Sequence, residues 1–395
     1  MSTAPIWQRQ RRRSGVGILM VITIIAILTV LVSEIIYTAQ VRLLTANHQA
    51  ERTKAYWLSK SGMNIYVLIL AANKELGKNS FIQQLGLGDS LWQMVPSINT
   101  GLMRMLFQGS SGLSDEDVEA FKEKGTVSEE VAEASREGGV FNDRNFLDFH
   151  GDFSAEIFDN EGKIDLNQLA SESGTLQEGM TSQRLFSLMS GDENDQWFSD
   201  RNIDRWEMIG NIRDWVDADN QRSAGLGGSE DSLYDQREPS HFVKNAKFDS
   251  LLELRVVSGW EGELFEKFAD KFTIWSNGKF NLNSFDDEMH KAMIRSAATS
   301  FPNDSTLDAC LNTGGEGVLS MWDVTTFNNA NDYANFIQTN CGIELDKTKL
   351  RNMSGTSKVF TIKSTGMVGE SYVTITAVLD YTRRSAGEVK YWRIE

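Results

Sequence analysis

Residues 11–34 read RRRSGVGILMVITIIAILTVLVSE. Three arginines and a glycine lead into an apolar run that an acid closes. Between Val16 and Val32 the only polar side chains are Thr23 and Thr29. That run sits at the short limit for crossing a bilayer. It is longer than the apolar core of a usual secretory signal, and no small-x-small cleavage site follows it. Residues 33–73 continue as SEIIYTAQVRLLTANHQAERTKAYWLSKSGMNIYVLILAAN, without proline. Ile36, Leu43, Ala50 and Trp57 recur every seven residues, and Ile65, Leu68 and Ala72 follow at spacings of three and four. This predicts one long helix over 16–73, with 16–33 as its membrane or assembly segment and the rest amphipathic. At 1.5 Å per residue such a helix is about 85 Å long.

The arginines precede the helix, so the positive-inside rule holds them in the cytoplasm and sends the body outward. Of the chain's formal charge of −16, residues 1–15 contribute four arginines and no acid. The acidic body therefore repels phosphates, which argues against a nucleic-acid partner. It is compatible with divalent cations or with a merely solvated surface.

The body is mixed. Residues 152–170, DFSAEIFDNEGKIDLNQLA, alternate about an Asp-Asn-Glu-Gly turn and predict a β-hairpin. The phrase returns as FTIWSNGKFNLNSF at 272–285, so GKIDLN is echoed by GKFNLN. That echo is too short to define a repeat architecture. Between the two, SQRLFSLMS, NIDRWEMIGNIRDWVDA, FDSLLELRVV and GELFEKFADKF carry helical spacing. DEMHKAMIRSAATS and ANDYANFIQTN do so after the second. The end is β: three strands over 357–395, with a turn at 366–370. Residues 74–150 predict a helical or loosely ordered insertion, with Ser114 placed as an N-cap.

RRRSG followed by VGILMVITIIAILTVLVSE resembles the leader of the type IV pilin-like superfamily. The resemblance implies that a prepilin peptidase removes residues 1–15 by cutting after Gly15, and that the new N-terminus, Val16, is methylated. Most of that superfamily carry glutamate as the fifth mature residue; here it is Met20. In this respect the chain resembles the minor pseudopilin K family of type II secretion systems. GKIDLN, GKFNLN and KFDSLLELRVVSGWEGELFEKF are also similar to segments of that family, the second less closely because Ser284-Phe285 departs from its pattern. A carboxylate within hydrocarbon persists only with a function or a partner. In the superfamily that partner is thought to be the terminal ammonium of the next subunit up. A subunit at the tip has no such neighbour, and Met20 fits that position.

The resemblance implies an α+β fold: a long helix on an antiparallel sheet formed from 151–169 and 357–395. A mainly helical domain is inserted over 170–356, with a strand near 272–283. It implies a single-pass inner-membrane protein with its body in the periplasm. The implied partners are the I and J minor pseudopilins and the major pseudopilin filament. The implied role is to start and cap pseudopilus assembly for protein export, with no enzymatic activity. Alternatives are a signal-anchored periplasmic enzyme or calcium-binding protein, and a type IV pilus tip minor pilin.

DWVDADNQRSAGLGGSEDSLYD, residues 214–235, gathers acids around a glycine-rich loop. Oxygen ligands on such a loop suit calcium, although the spacing is not that of an EF-hand: Arg222 stands where its glycine belongs. A solvated acidic loop is the alternative. The resemblance assigns structural calcium to Asp217, Asp219, Glu230 and Asp231, with Asp214 ranked lower. Export favours a disulfide between Cys310 and Cys341, worth about 3 kcal/mol in the loop-entropy model, over two buried thiols. His48, His150, His241 and His290 have no metal spacing, and no nucleophile or phosphate-loop motif is present.

Overall fold

The computed structural model describes residues 14–76, 91–108, 150–224, 227–235, 240–284, 286–311, 326–384 and 387–395. Ser114 and the charged stretch around it lie outside these residues.

Helix α1 spans Ser14–Leu76. A short helix α2 (Leu91–Met94), strand β1 (Ser97–Asn99) and helix α3 (Thr100–Gln108) follow. Next come β2 (Asp152–Asp159) and β3 (Ile164–Asp165). The helices of the inserted domain begin with α4 (Met180–Leu188), α5 (Asp192–Asp200), α6 (Arg205–Val216) and α7 (Glu263–Phe268). Strands β4 (Phe272–Thr273) and β5 (Phe280–Asn281) separate these from α8 (Asp287–Ala297), α9 (Asp304–Leu311) and α10 (Ala330–Cys341). The chain finishes with β6 (Met353–Ser354), β7 (Val359–Val368), β8 (Ser371–Asp380) and β9 (Glu388–Ile394). FDSLLELRVV forms a 3₁₀ helix over Leu251–Val256 rather than an α-helix, and α5 and α9 were not foreseen.

The main sheet runs β1-β2-β7-β8-β9, antiparallel throughout. α1 covers one of its faces. The architecture is thus the expected α+β one, a long helix on an antiparallel sheet with a mainly helical insertion between β2 and β7. Two expectations need correcting. Strand β1 belongs to this sheet although it lies within 74–150. And 152–170 is not a hairpin: β2 pairs with β1 and β7, while Ile164 and Asp165 pair in parallel with Phe272 and Thr273. The alternation and turn are real, but the turn carries the chain out of the sheet into the insertion. The β7–β8 turn is also tighter than expected, with strand pairing up to Val368 and Ser371.

The contact between α1 and the sheet rests on small residues. Ala55, Ser59 and Gly62 meet Ala155, Ser364 and Gly366. A Cβ on Gly62 would stand 2.5 Å from Ser364 Oγ, and one on Gly366 2.0 Å from the Ala55 carbonyl. Ser59 Oγ donates to the Ser364 carbonyl, and Ser364 Oγ to the Ser59 carbonyl, both at 2.7 Å. Met63, Tyr66 and Leu70 extend this buried face into a core with Phe153, Phe360 and Ile375. The seven-residue stripe of the sequence is therefore mostly the other face: Leu43, Trp57 and Leu68 are exposed. Apolar spacing marked a surface left open, while backbone proximity set the one that is packed.

The echoed phrases do the same job twice. β5 pairs in parallel with β6, as β3 does with β4. Asp165 Oδ1 accepts from the Asn167 amide, and Asn281 Oδ1 from the Asn283 amide. Asn167 Nδ2 then donates to the carbonyls of Phe248 and Ile274, and its Oδ1 accepts from the Phe248 amide. Asn283 Nδ2 donates to the carbonyls of Phe327 and Gly355, and its Oδ1 accepts from the Phe327 amide. Each asparagine side chain satisfies three backbone groups of crossing segments, which no apolar residue could do.

Candidate metal centre and its setting

Asp204 caps the N-terminus of α6, accepting from the Trp206 amide, and the helix runs to Val216. Asp214 lies in its last turn and Asp217 is its C-cap, three residues on and so on the same side. The loop beyond returns through a bridge between Gln221 and Ser229, with the Arg222 amide donating to the Gly228 carbonyl. That closure delivers Glu230 to the end of α6. Ligand oxygens of Asp214, Asp217 and Glu230 lie within 4.8 Å of one another.

Asp214 and Glu230 are buried. Asp214 Oδ1 accepts from the Ser223 amide at 2.8 Å. Asp214 Oδ2, Asp217 Oδ1 and both oxygens of Glu230 have no hydrogen-bond partner. Burial, reinforced by Asp214, Asp217, Asp219 and Asp231, pushes the Glu230 carboxyl up to about 8. Burial and the neighbouring Asp219 and Asp214 carboxylates push Asp217 to about 6. Arg213 Nε stands 3.8 Å from Asp217 Oδ2, too far to neutralise three acids. Buried carboxylate oxygens without donors are costly unless a cation takes them. Hard oxygen donors of this kind, on a loop able to add carbonyls, fit a divalent cation of the calcium type.

Two of the four expected ligands, Asp217 and Glu230, meet here. Asp214 joins them, against its lower rank. The i, i+3 spacing at the helix end could have placed it first. Asp219 and Asp231 stand outside the trio: Asp219 Oδ1 accepts from the Gln221 amide, and Asp231 Oδ1 from the Val243 amide. They add negative field rather than a converging oxygen.

The remaining expected positions are spread out. Val16 and Met20 lie on the exposed first part of α1, and Gly15 within its first turn. This helix is long and apolar enough to cross a membrane. Cys310 and Cys341, in the last turns of α9 and α10, form a disulfide with Cα atoms 5.1 Å apart.

A polar knot that the sequence did not reveal lies where the insertion leaves and rejoins the sheet. Asp159 accepts from Ser357 Oγ, from Asn281 Nδ2 at 3.3 Å and from the Glu161 amide at 2.8 Å. Glu161 is fully buried, and its Oε2 accepts from the Lys358 amide at 3.1 Å. Burial and the adjacent Asp159 push its carboxyl up to about 8.

Residues 162–276 match the family described as type II secretion system (T2SS), protein K. The match takes in the first echo, α4 to α7 and the acid trio. No curated protein matches the chain. Among solved structures, the chain is similar to one in the GspK-GspI-GspJ complex of the type 2 secretion system of enterotoxigenic Escherichia coli. The identity is 18%, 62% of this chain and 80% of that chain are covered, and the TM-score is 0.46. Through residues 162–276, the chain belongs to the minor pseudopilin K family of type II secretion systems.

Proposed function

We propose that the chain caps the pseudopilus and helps to start its assembly, together with minor pseudopilins of the I and J types. One observation carries this. The insertion joins the sheet at the end of the body remote from the apolar segment. Ser371, at the near end, contacts His48 and Glu51 of α1, whereas Lys74, 23 residues beyond Glu51, reaches the Tyr381 carbonyl beside the junction. A filament grows with its apolar helices bundled below, so a bulky domain at the far end obstructs any subunit above. Met20, with no carboxylate for a neighbour's ammonium, is consistent with the same place.

In this proposal prepilin peptidase cuts after Gly15 and Val16 becomes the methylated terminus. The helix rests in the inner membrane with the body in the periplasm until it enters the filament. Asp214, Asp217 and Glu230 hold calcium, which neutralises the trio and locks the loop to α6. The role is structural. The test is pseudopilus length in cells that overproduce the major pseudopilin. Replacing residues 163–356 by a short linker should give longer filaments than the intact chain. Unchanged length would contradict capping.

A further inference from the structure

Strand β9 is the outermost strand of the main sheet, and no described residue pairs with its outer edge. Thr374 and Glu395 exchange both backbone hydrogen bonds, at 3.0 and 2.9 Å. Antiparallel pairs alternate, so Arg393 (opposite Thr376) and Tyr391 (opposite Val378) also turn their backbone groups inward. Trp392 and Ile394 turn theirs outward. Their side chains share the α1 side of the sheet with Ala377 and Ile375, which they face. Val389, opposite Leu379, joins them there. All three are apolar and open: Val389 is 55% exposed, Trp392 41% and Ile394 50%. An outer strand with free amides and carbonyls accepts only another extended strand.

We infer that β9 is a docking edge for a strand of another pilin-like subunit, which extends the sheet across the subunit boundary. This rests on the assembly role proposed above. Charge selects the occupant. If two copies paired antiparallel along the whole of β9, Glu388 would face Glu395, and Lys390 would face Arg393. Like charges directly opposite are destabilising. A different subunit, with acids opposite Lys390 and Arg393 and apolar residues opposite Trp392 and Ile394, meets no such repulsion. The same two cations discourage random edge-to-edge association.

The test uses the full chain in detergent, alone and mixed with detergent-solubilised I and J minor pseudopilins of its own secretion system. Hydrogen exchange is followed over residues 388–395. The Trp392 and Ile394 amides should exchange quickly in the free chain and at least tenfold more slowly in the complex. Trp392→Pro deletes an outward amide without removing a bond to β8. It should weaken the complex at least tenfold with little change in Tm, whereas Arg393→Pro, which deletes an inward amide, should lower Tm. If wild-type chain captures neither partner, the assembly role fails and this inference with it. If the complex forms but the two amides exchange as before and Trp392→Pro binds normally, the docking edge alone is overturned. Amides already slow in the free chain, or slowed only by raising its own concentration, would also overturn it. Should Trp392→Pro fail to fold, wild-type exchange decides the matter.

Discussion

At the residue scale the chain is governed by carboxylates that have too few partners. Glu161 shows this without any metal. Its folded-state carboxyl stands near 8, against 4.5 ordinarily. Between about pH 4.5 and 8 the folded chain keeps this proton and the unfolded chain loses it. Stability therefore falls as pH rises through that window, and the loss is complete above it. Glu161→Gln should flatten part of the slope and raise Tm at pH 8.5 relative to wild type, while changing little at pH 4.5. An unchanged slope would count against a protonated Glu161. For the acid trio, adding calcium to a chelated sample should raise Tm, and Asp214→Asn with Glu230→Gln should abolish that response. Asp219→Asn should retain most of it, since its carboxylate lies outside the trio. Asp217 and Glu230 were legible from residue type and resemblance. Asp214 was underrated because a linear motif does not show which side of a helix end each acid takes. Asp159 and Glu161 were invisible because the partners that bury them come from about 120 and 200 residues away in sequence.

Elements obey closeness of approach as much as hydrophobicity. The sequence pattern found α1 and the alternation of β7 and β8. It misassigned the packed face of α1, since Ala55, Ser59 and Gly62 carry little apolar signal. Gly366→Ala would press a methyl into the Ala55 carbonyl and should cost about 1–3 kcal/mol, the usual range for overpacking. Urea unfolding measures this directly, and a neutral result would deny the close contact. The disulfide between α9 and α10 makes a similar claim. Cys310→Ser with Cys341→Ser should lower stability by about 2–4 kcal/mol. The echoed phrases were legible as strings, yet their common task was not. Parallel pairing of two-residue strands and an asparagine clamp leave no periodicity to detect.

The whole molecule places its parts along one axis: an exposed apolar helix segment at one end, the sheet in the middle and the metal-bearing insertion at the other. The helix, the terminal strands and the existence of an insertion followed from the sequence. The position of the insertion did not, because it depends on which end of β2 and β7 meets Lys74 rather than His48. That position underlies the tip assignment. The most direct measurement is electron microscopy of assembled pseudopili carrying a gold label on the inserted domain. Label confined to one end of each filament is the expected result. Label along the filament length, or assembled filaments with none, would contradict it.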